Sequence, residues 1–457
     1  MFKVLYKHPV NLVMAANIAA YAVLFLFRQP FDRNALLICL LVSGVVCIIY
    51  YVITGLKLGD EYLFLIVSML FTLGLAMIYR LDPQLGQRQL IWFAVGLTLF
   101  FASYLLFSKI RIWSRLGLFY AAGTFLLNII TLVFGRKING STSWIVIQGH
   151  SFQLSEISKI LFILFLACFF KDGESGMIEI PGLKLIMGHL RKDGNEKTQI
   201  RPKASGVRGL RAFITRETQN RALLMAVTFI NAFLMILQRE WGTVALFFIL
   251  YITILYVFGK SRLFLLCNMV CTVPVALFGY FFINHIKVRV DIWLNPWSDP
   301  SGKGYQMLQS LFAIGSGGFL GTGLGSGRPD LIPAVNTDFI FPAICEELGI
   351  MCGIAVILLY FILFYRGVKI ALNQSERFYR ALSLGISVMF GIQTFIIIGG
   401  VIKLIPLTGI TLPFVSYGGS SLVSSFISLG ILQAVSGVHP SPRVISSPGI
   451  EEAAENG

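Results

Sequence analysis

The chain has 457 residues, of which 56% are hydrophobic and 13% are charged, and its formal net charge is +15. Ordinary soluble domains carry about 25% charged residues, and the mean hydropathy of this chain is +0.78. These values exclude a disordered chain, a disulfide scaffold and an ordinary cytosolic enzyme, and they predict a protein embedded in a lipid bilayer. The basic residues lie mostly in loops, so we expect contact with membrane lipids and no nucleic-acid partner.

Twelve apolar runs follow one another along the chain. A membrane-spanning helix needs roughly 20 apolar residues. The pattern therefore predicts an all-α, polytopic transmembrane helical bundle of about 12 helices. The runs cover residues 10–27, 35–55, 62–79, 89–107, 117–135, 157–170, 221–237, 242–258, 262–284, 339–365, 380–402 and 408–437.

The distribution of basic residues predicts the orientation of the bundle. With the N-terminus inside and the runs alternating, 24 of the 37 Lys and Arg residues fall on the inside and 13 fall outside or within the membrane. Under the positive-inside rule, both termini are then cytoplasmic. The same alternation makes 171–220 a basic cytoplasmic loop and 285–338 a large extracellular loop. Residues 440–457 are rich in Pro and Ser and then acidic, which predicts a disordered cytoplasmic tail.

Neither the seven cysteines nor the five histidines show the spacing of metal ligands. The cysteines all lie in apolar runs, and the histidines are scattered singly. We therefore interpret the cysteines as small core residues and predict no metal-ligating residues.

Ionisable residues inside an apolar bundle are candidates for function. Glu156 and Lys159 are three residues apart, so they share one face of a helix at the outer start of the sixth run. One interpretation is a structural ion pair. The other is an outward-facing polar cavity in which Lys159 is available to a phosphate.

Asp338 ends the large outer loop directly before an apolar helix. It can be a carboxylate that caps this helix, or a functional group at the outer mouth of the bundle. Glu240, Glu346 and Lys403 are expected to ring the same cavity, and Pro342 is expected to bend the helix that follows Asp338. The glycine-rich run 315–327 is expected to let the backbone approach the membrane surface or a bulky ligand.

Residues 406–421, PLTGITLPFVSYGGSS, closely resemble the signature of the shape, elongation, division and sporulation family, FtsW/RodA/SpoVE; we call them the signature segment. Three further stretches are similar to segments of that family, and the resemblance covers roughly residues 60–437 in order. They are SEISK at 155–159, NPWSDPSGKGYQMLQSLFAIGSGG at 295–318 and NTDFIFPAICEELG at 336–349. Members usually have ten helices, so the resemblance divides the chain into two additional N-terminal helices at 1–56 and a core at 57–439.

The resemblance implies a peptidoglycan glycosyltransferase that polymerises lipid II, an undecaprenyl-pyrophosphate-linked disaccharide peptide, at the outer face of the bacterial cytoplasmic membrane. It implies a class B penicillin-binding protein as partner, which crosslinks the strands. By motif match, Asp338 falls on the family's essential extracellular aspartate, and Glu156 and Lys159 fall on its essential Glu and Lys. Trp144 falls on the Trp of its G-A-x-R-W segment.

This sequence departs from the family pattern at three positions. The residue before Trp144 is Ser143 where the family has Arg, Glu240 stands where the family usually has Asp, and Ile397 stands where Asn is frequent. These departures suit a specialised paralogue, for example one acting in sporulation. The sequence leaves open whether the role is in elongation, division or sporulation.

The implied reaction is attack by the C4 hydroxyl of one lipid II sugar on the anomeric carbon of another chain, with undecaprenyl pyrophosphate leaving. We expect Asp338 to act as general base and Ser416 and Tyr417 of the signature segment to bind substrate. Candidates for neutralising the pyrophosphate are Lys159, Lys403, Arg328 or a divalent cation such as Mg²⁺ or Mn²⁺. Two other functions stay open, a lipid II flippase and a non-catalytic scaffold for a cell-wall enzyme.

Overall fold

The structure, a computed structural model, describes residues 9–27, 32–138, 141–147, 150–171 and 206–438. Most of the 171–220 loop and the tail at 440–457 lie outside the described residues. The α-helices are numbered in chain order as α1 Val10–Phe27, α2 Arg33–Gly55, α3 Glu61–Leu81, α4 Pro83–Lys109, α5 Gly117–Phe134, α6 Ser155–Phe170, α7 Gly206–Leu237, α8 Trp241–Phe258, α9 Arg262–Phe282, α10 Asn284–Leu294, α11 Tyr305–Gly317, α12 Ile340–Asn373, α13 Arg377–Val401 and α14 Gly419–Ser436.

Each predicted apolar run contains most or all of one of these helices, so the all-α bundle is confirmed, although residues 408–418 of the last run are not helical. In the described part of the chain, 10 helices are long and apolar enough to cross a membrane. The two runs that fall short are α1 and α6, and α6 has only 16 residues because it begins directly after a β-strand. Helices α3, α13 and α14 are the most buried of the 10 and form the centre of the bundle.

Close packing joins the central helices to their neighbours, as expected where lipid replaces water. The rings of Phe93, Phe414 and Phe426 meet with centroids 5.4 to 5.6 Å apart, which joins α4, α14 and the signature segment. Gly96 on α4 lies against Phe426, and Gly430 on α14 lies against the backbone of α4. A side chain at either glycine would separate the two helices.

The two additional N-terminal helices form a hairpin that packs against α3. Asn17 is buried between them and donates hydrogen bonds to the Ser43 hydroxyl at 2.6 Å and to the Cys39 carbonyl oxygen at 3.2 Å. The Tyr79 hydroxyl at the end of α3 donates to Asp32 at the start of α2, at 2.7 Å. Polar bonds of this kind fix the contact between helices that lipid alone would not specify.

A three-stranded antiparallel sheet between α5 and α6, like helices α10 and α11 in the 285–338 loop, was not predicted from the sequence. Its strands are β1 Arg136–Ile138, β2 Ser141–Ile147 and β3 His150–Gln153, in the order β1-β2-β3. Strand β2 has the sequence STSWIVI, rich in the β-branched residues that favour a pleated strand. Trp144 pairs with Gln153 across the sheet.

Helix α12 is interrupted at Gly349, whose φ of 82° is open to glycine and costly for other residues. The expected bend at Pro342 is wrong, because Pro342 lies in the first turn, where the missing N–H has no helical partner to lose. The break frees the carbonyl oxygens of Glu346 and Glu347, which accept hydrogen bonds from the N–H groups of Thr322 and Gly323.

The glycine-rich run therefore packs against α12, and its glycines let the two backbones approach each other closely. A Cβ at Gly317 would lie 2.1 Å from the Cys345 carbonyl oxygen, so no larger residue fits there. Arg80 adds an ion pair to Glu347 at 2.7 Å and donates to the Gly327 carbonyl oxygen at 2.9 Å. This run is structural in the described fold.

The loops sort into two ends of the bundle. At one end, Asp60 pairs with Arg366 at 3.2 Å, and its N–H donates to the Ser436 hydroxyl. At the other end the sheet, the α7–α8 turn, α10, the loop before α12 and the signature segment come together. We call this the cavity end. The sheet, the α7–α8 turn, α10 and the residues before α12 are segments that the alternation placed outside.

Candidate active site

A polar cavity of about 590 Å³ opens at the cavity end. It lies between α4, strands β2 and β3, the α7–α8 turn, α10, residues 337–338 and the signature segment. Seven ionisable side chains line it, namely Arg88, Glu156, Arg239, Glu240, His285, Arg289 and Asp338. Trp92, Trp144 and Tyr417 add aromatic surface, so the wall combines groups that suit a sugar ring with groups that suit an anion.

Asp338 faces this cavity and does not cap α12. The cap position is Phe339, and no side chain accepts a hydrogen bond there, so the capping interpretation is wrong. Burial raises the pKa of Asp338 to about 6, while the Thr337 hydroxyl and the positive charge of Arg289 act in the opposite direction. A carboxylate with a pKa near neutrality is suited to accept a proton from a substrate hydroxyl.

The signature segment fixes the backbone that carries Asp338. The Ser416 hydroxyl donates to the Thr337 carbonyl oxygen at 2.6 Å and accepts from the Leu412 N–H at 3.0 Å. The Tyr417 N–H donates to the Asn336 carbonyl oxygen at 2.8 Å. Ser416 is only 4% exposed and lies behind the wall, so its bonds position Asp338, whereas Tyr417 itself lines the cavity.

Glu156 and Lys159 form the ion pair that their spacing allows, at 2.9 Å, and both side chains are buried. Glu156 also accepts from the Ser424 hydroxyl at 2.7 Å. Lys159 donates to Gln393 at 3.3 Å, and Gln393 in turn donates to the Thr411 carbonyl oxygen at 2.9 Å. This network joins α6, α13, α14 and the signature segment. Of the pair, only Glu156 reaches the cavity wall.

Glu240 is buried at the turn between α7 and α8 and also lines the cavity. It accepts hydrogen bonds from Gln153 at 2.9 Å and from Ser155 at 3.2 Å. Burial raises the pKa of Glu240, and the hydrogen bonds from Gln153, Ser155 and Ser143 oppose that shift. Glu240 therefore joins the sheet that presents Trp144 to the start of α8.

Arg289 on α10 is the cation next to Asp338. Its guanidinium donates to the Leu407 carbonyl oxygen at 3.0 Å. A Cβ at Gly409 would lie 3.4 Å from Arg289 Nη2 and 3.5 Å from Asp338 Oδ2, so both groups converge on this glycine. Burial lowers the pKa of Arg289, and the charge of Asp338 raises it.

Three residues expected from the sequence at this site lie elsewhere. Arg328 is exposed, and its backbone N–H donates to Glu346 at 2.8 Å. Lys403 accepts a hydrogen bond from the Trp293 indole through its carbonyl oxygen. Neither these two nor Glu346 is part of the cavity lining.

The sequence analysis missed four cavity residues, namely Arg88, Arg239, His285 and Arg289. A signal for the three arginines was present, because each is a basic residue in a segment that the alternation placed outside, against the positive-inside bias.

The described residues contain no group of three or more His, Cys, Asp or Glu side chains placed to hold a metal ion. The acids of the cavity are spread over separate elements, and Glu156 and Glu240 already accept hydrogen bonds from neighbouring side chains. The described part of the cavity therefore offers no cluster of three or more side-chain ligands for a divalent cation, and arginines supply its positive charge.

The chain is similar to proteins of one family over most of its length. The profile of the cell cycle protein family FtsW/RodA/SpoVE matches residues 60–439. The peptidoglycan glycosyltransferase RodA of Mycobacterium tuberculosis H37Rv is 34% identical over 390 residues, which cover 82% of this chain and 78% of the relative. Stage V sporulation protein E of Bacillus subtilis is 33% identical over 399 residues, covering 82% and 96%.

Two solved structures are also similar to the chain. A chain from the structure titled "Structural coordination of polymerization and crosslinking by a peptidoglycan synthase complex" aligns with a TM-score of 0.63 and 26% identity, covering 83% of this chain and 97% of that one. The crystal structure of Thermus thermophilus rod shape determining protein RodA shares the fold, with a TM-score of 0.54, 24% identity and coverage of 83% and 96%. The family resemblance read from the signature segment is confirmed: the chain belongs to the FtsW/RodA/SpoVE family of polytopic membrane proteins.

Proposed function

We propose that this chain is a peptidoglycan glycosyltransferase that polymerises lipid II, with Asp338 as general base. The observation that carries the proposal is the position of the Asp338 carboxylate in a polar cavity, beside Arg289 and with its pKa raised to about 6 by burial. The names of the relatives support the reaction class, since the M. tuberculosis protein is a peptidoglycan glycosyltransferase.

In the proposed step, the C4 hydroxyl oxygen of one lipid II molecule attacks the anomeric carbon of the growing chain. The bond between that carbon and the pyrophosphate oxygen breaks, and its electron pair leaves with undecaprenyl pyrophosphate. The hydroxyl proton passes to the Asp338 carboxylate. Such proton transfer is typically worth about 10²–10⁴-fold in rate, and cations that stabilise the departing charge add to it.

The remaining cavity residues supply binding and orientation. Trp144 and Tyr417 offer aromatic faces on which sugar rings can stack. Glu156, fixed by Lys159 and Ser424, is placed to accept a hydrogen bond from a substrate hydroxyl. The undecaprenyl tails, being apolar, would lie in lipid between the helices.

The cavity end faces the outside of the bacterial cytoplasmic membrane in this proposal, with both termini in the cytoplasm. The support is the distribution of Lys and Arg, 24 of 37 inside. Lipid II polymerised outside would enter the wall directly, without a further transport step for the product.

A class B penicillin-binding protein is the proposed partner. The support is the similar chain from a structure whose title couples polymerization to crosslinking in a peptidoglycan synthase complex. Co-expression with such a partner should raise the polymerisation rate of the purified chain. An isolated chain with full activity, unchanged by any partner, contradicts this part of the proposal.

Formation of glycan polymer from labelled lipid II by the purified complex tests the function. Polymer that is lost in Asp338→Asn supports it. A lipid II flippase would instead move lipid II across vesicle membranes without forming polymer. A non-catalytic scaffold would do neither, and the polymer made by its partner would not depend on Asp338.

A further inference from the structure

We infer that Arg239, together with His285 and Arg289, binds the pyrophosphate of the glycosyl donor. The inference rests on the proposed function and assigns a subsite within the same cavity. All three side chains line the cavity that contains Asp338. Arg239 comes from the α7–α8 turn, and the other two come from α10.

The backbone at Arg239 adopts a conformation that favours glycine. Its φ is 62°, and its N–H donates to the Ile236 carbonyl oxygen while the Glu240 N–H donates to that of Met235. These are the two hydrogen bonds of a Schellman motif, whose left-handed position is usually glycine. An arginine here costs conformational free energy, and such cost concentrates where a side chain has a function.

The neighbours of Arg239 hold this turn firmly. The backbone carbonyl oxygen of Gln238 accepts from the Thr142 N–H at 3.1 Å. The side-chain amide of Gln238 donates to the Asn128 carbonyl oxygen at 2.8 Å. Glu240 is bonded to Gln153 and Ser155 on the other side. The turn is thus fixed between α5 and the sheet, and the position from which Arg239 enters the cavity is fixed with it.

The Arg239 guanidinium is available to a ligand. Among the described residues it has no carboxylate within 4.0 Å and no hydrogen-bonded partner. His285 Nδ1 is also buried without a partner in the described part of the chain. Arg239 and Arg289 both bring a positive charge to the cavity, and a bound phosphate anion would pair with both guanidinium groups.

Arg289 lies one helical turn after His285 on α10, and Arg239 lines the same cavity from the α7–α8 turn. Burial lowers the pKa of His285, and the charges of Arg289 and Arg239 lower it further. A neutral imidazole can donate one hydrogen bond to a phosphate oxygen without adding charge. The two guanidinium groups supply the positive charge, and their planar donor sets match phosphate oxygens.

Because this pyrophosphate site lies next to Asp338, it suits the pyrophosphate of the donor and not that of the acceptor. In the donor, the pyrophosphate is attached to the carbon that reacts, so it must lie beside the base. In the acceptor, the pyrophosphate lies a whole disaccharide away from the reacting C4 hydroxyl. Arg289 and Asp338 converge on Gly409, so the anion held by Arg289 and Arg239 lies at the reacting centre.

Binding of radiolabelled undecaprenyl pyrophosphate to the detergent-purified full chain tests the inference without requiring turnover. Arg239→Gln should weaken binding about tenfold or more, as expected for a charged hydrogen-bonding partner, and Arg239→Lys should weaken it less. Arg239→Gly relaxes the backbone, so it should lose affinity while its melting temperature stays equal or rises. The matched control is Arg136→Gln, which removes an exposed arginine of the cavity end outside the cavity lining.

Wild-type affinity in both Arg239→Gln and Arg239→Gly would overturn the inference. An equal loss in Arg136→Gln would also overturn it, since general surface charge would then explain binding. A lower melting temperature in Arg239→Gly would show a structural role and contradict the argument. Because the probe is the pyrophosphate carrier alone, a wild-type chain that binds it but makes no polymer even in the partner complex would refute the proposed function and leave this subsite standing.

Discussion

The Ser416 hydroxyl donates a hydrogen bond of 2.6 Å to the Thr337 carbonyl oxygen, which joins the signature segment to the residue directly before Asp338. The same hydroxyl accepts from the Leu412 N–H, so one small side chain satisfies two backbone groups. A family signature more than 60 residues further along the chain thus serves to position the carboxylate.

Ser416→Ala should lower both stability and polymerisation. It leaves two buried backbone groups without their partner, which costs about 1–3 kcal/mol, and it frees the backbone of Thr337. The measurements are a melting curve and the initial rate of glycan formation. Ser428→Ala is the matched control, because that buried hydroxyl bonds only to the carbonyl oxygen of Ser424 in its own helix. Equal rates in the two variants would contradict a positioning role for Ser416.

Glu156→Gln should destabilise the protein by about 3–5 kcal/mol, because it leaves the Lys159 charge buried without its partner. Lys159→Met introduced with Glu156→Gln should recover much of that loss. The exposed pair Arg328 and Asp330, 3.6 Å apart, provides the control, and Asp330→Asn should cost less than about 1 kcal/mol. A double variant no more stable than Glu156→Gln would show that charge burial is not the cause.

Catalysis should depend on pH through Asp338. Its pKa of about 6 in the folded protein means that the carboxylate needed as base forms as the pH rises through about 6. The rate should therefore rise roughly tenfold per pH unit below this value and level off above it. A polymerisation rate that is flat between about pH 5 and 7 would contradict a base with this pKa.

Stability should change with pH in the opposite direction. The folded-state pKa of about 6 lies above the ordinary value of 3.8, so the folded state binds the proton more tightly. The contribution of Asp338 to stability is then present at low pH and is lost as the pH rises from about 4 to 6. The asparagine of Asp338→Asn does not titrate, so the melting temperature of this variant should rise relative to that of the wild type across this range.

The membrane topology can be tested in intact cells. A cysteine introduced at Ser301, in a variant without the native cysteines, should react with an impermeant thiol reagent. A cysteine at Lys197, in the 171–220 loop, should not react. The reason is the 24 to 13 distribution of basic residues between the two sides. The reverse labelling would place the cavity in the cytoplasm and contradict the proposed site of polymerisation.

Hydropathy alone predicted the helices because a helix in lipid must be apolar along its whole length. It could not predict the sheet, since its strands have only three, seven and four residues and lie outside the predicted apolar runs. The presence of a proline predicted a bend of α12 at Pro342, whereas the helix is broken at Gly349. The sequence does not reveal which φ a glycine in an apolar run adopts. In the fold, the φ of 82° at Gly349 accompanies the packing of the glycine-rich run against α12.

The site was predicted in part. Asp338, Glu156, Trp144 and Tyr417 were predictable because the motifs that contain them resemble family segments. All four line the cavity. Spacing could not locate the cations, since Arg239 and Arg289 are brought to Asp338 from other elements by tertiary contacts. Lys403 and Arg328 were predicted as pyrophosphate ligands from their charge and their position in the chain. In the fold, neither is part of the cavity lining.

The most direct test of Asp338 as the base is the rate of glycan polymerisation by Asp338→Asn, measured with labelled lipid II and the purified partner complex. The amide keeps the size of the side chain and cannot accept the proton, so we predict a loss of at least about 100-fold. Lipid II binding should stay close to that of the wild type, and the melting temperature should be no lower than that of the wild type. A folded variant that polymerises at a rate near that of the wild type would contradict the assignment of Asp338 as the base.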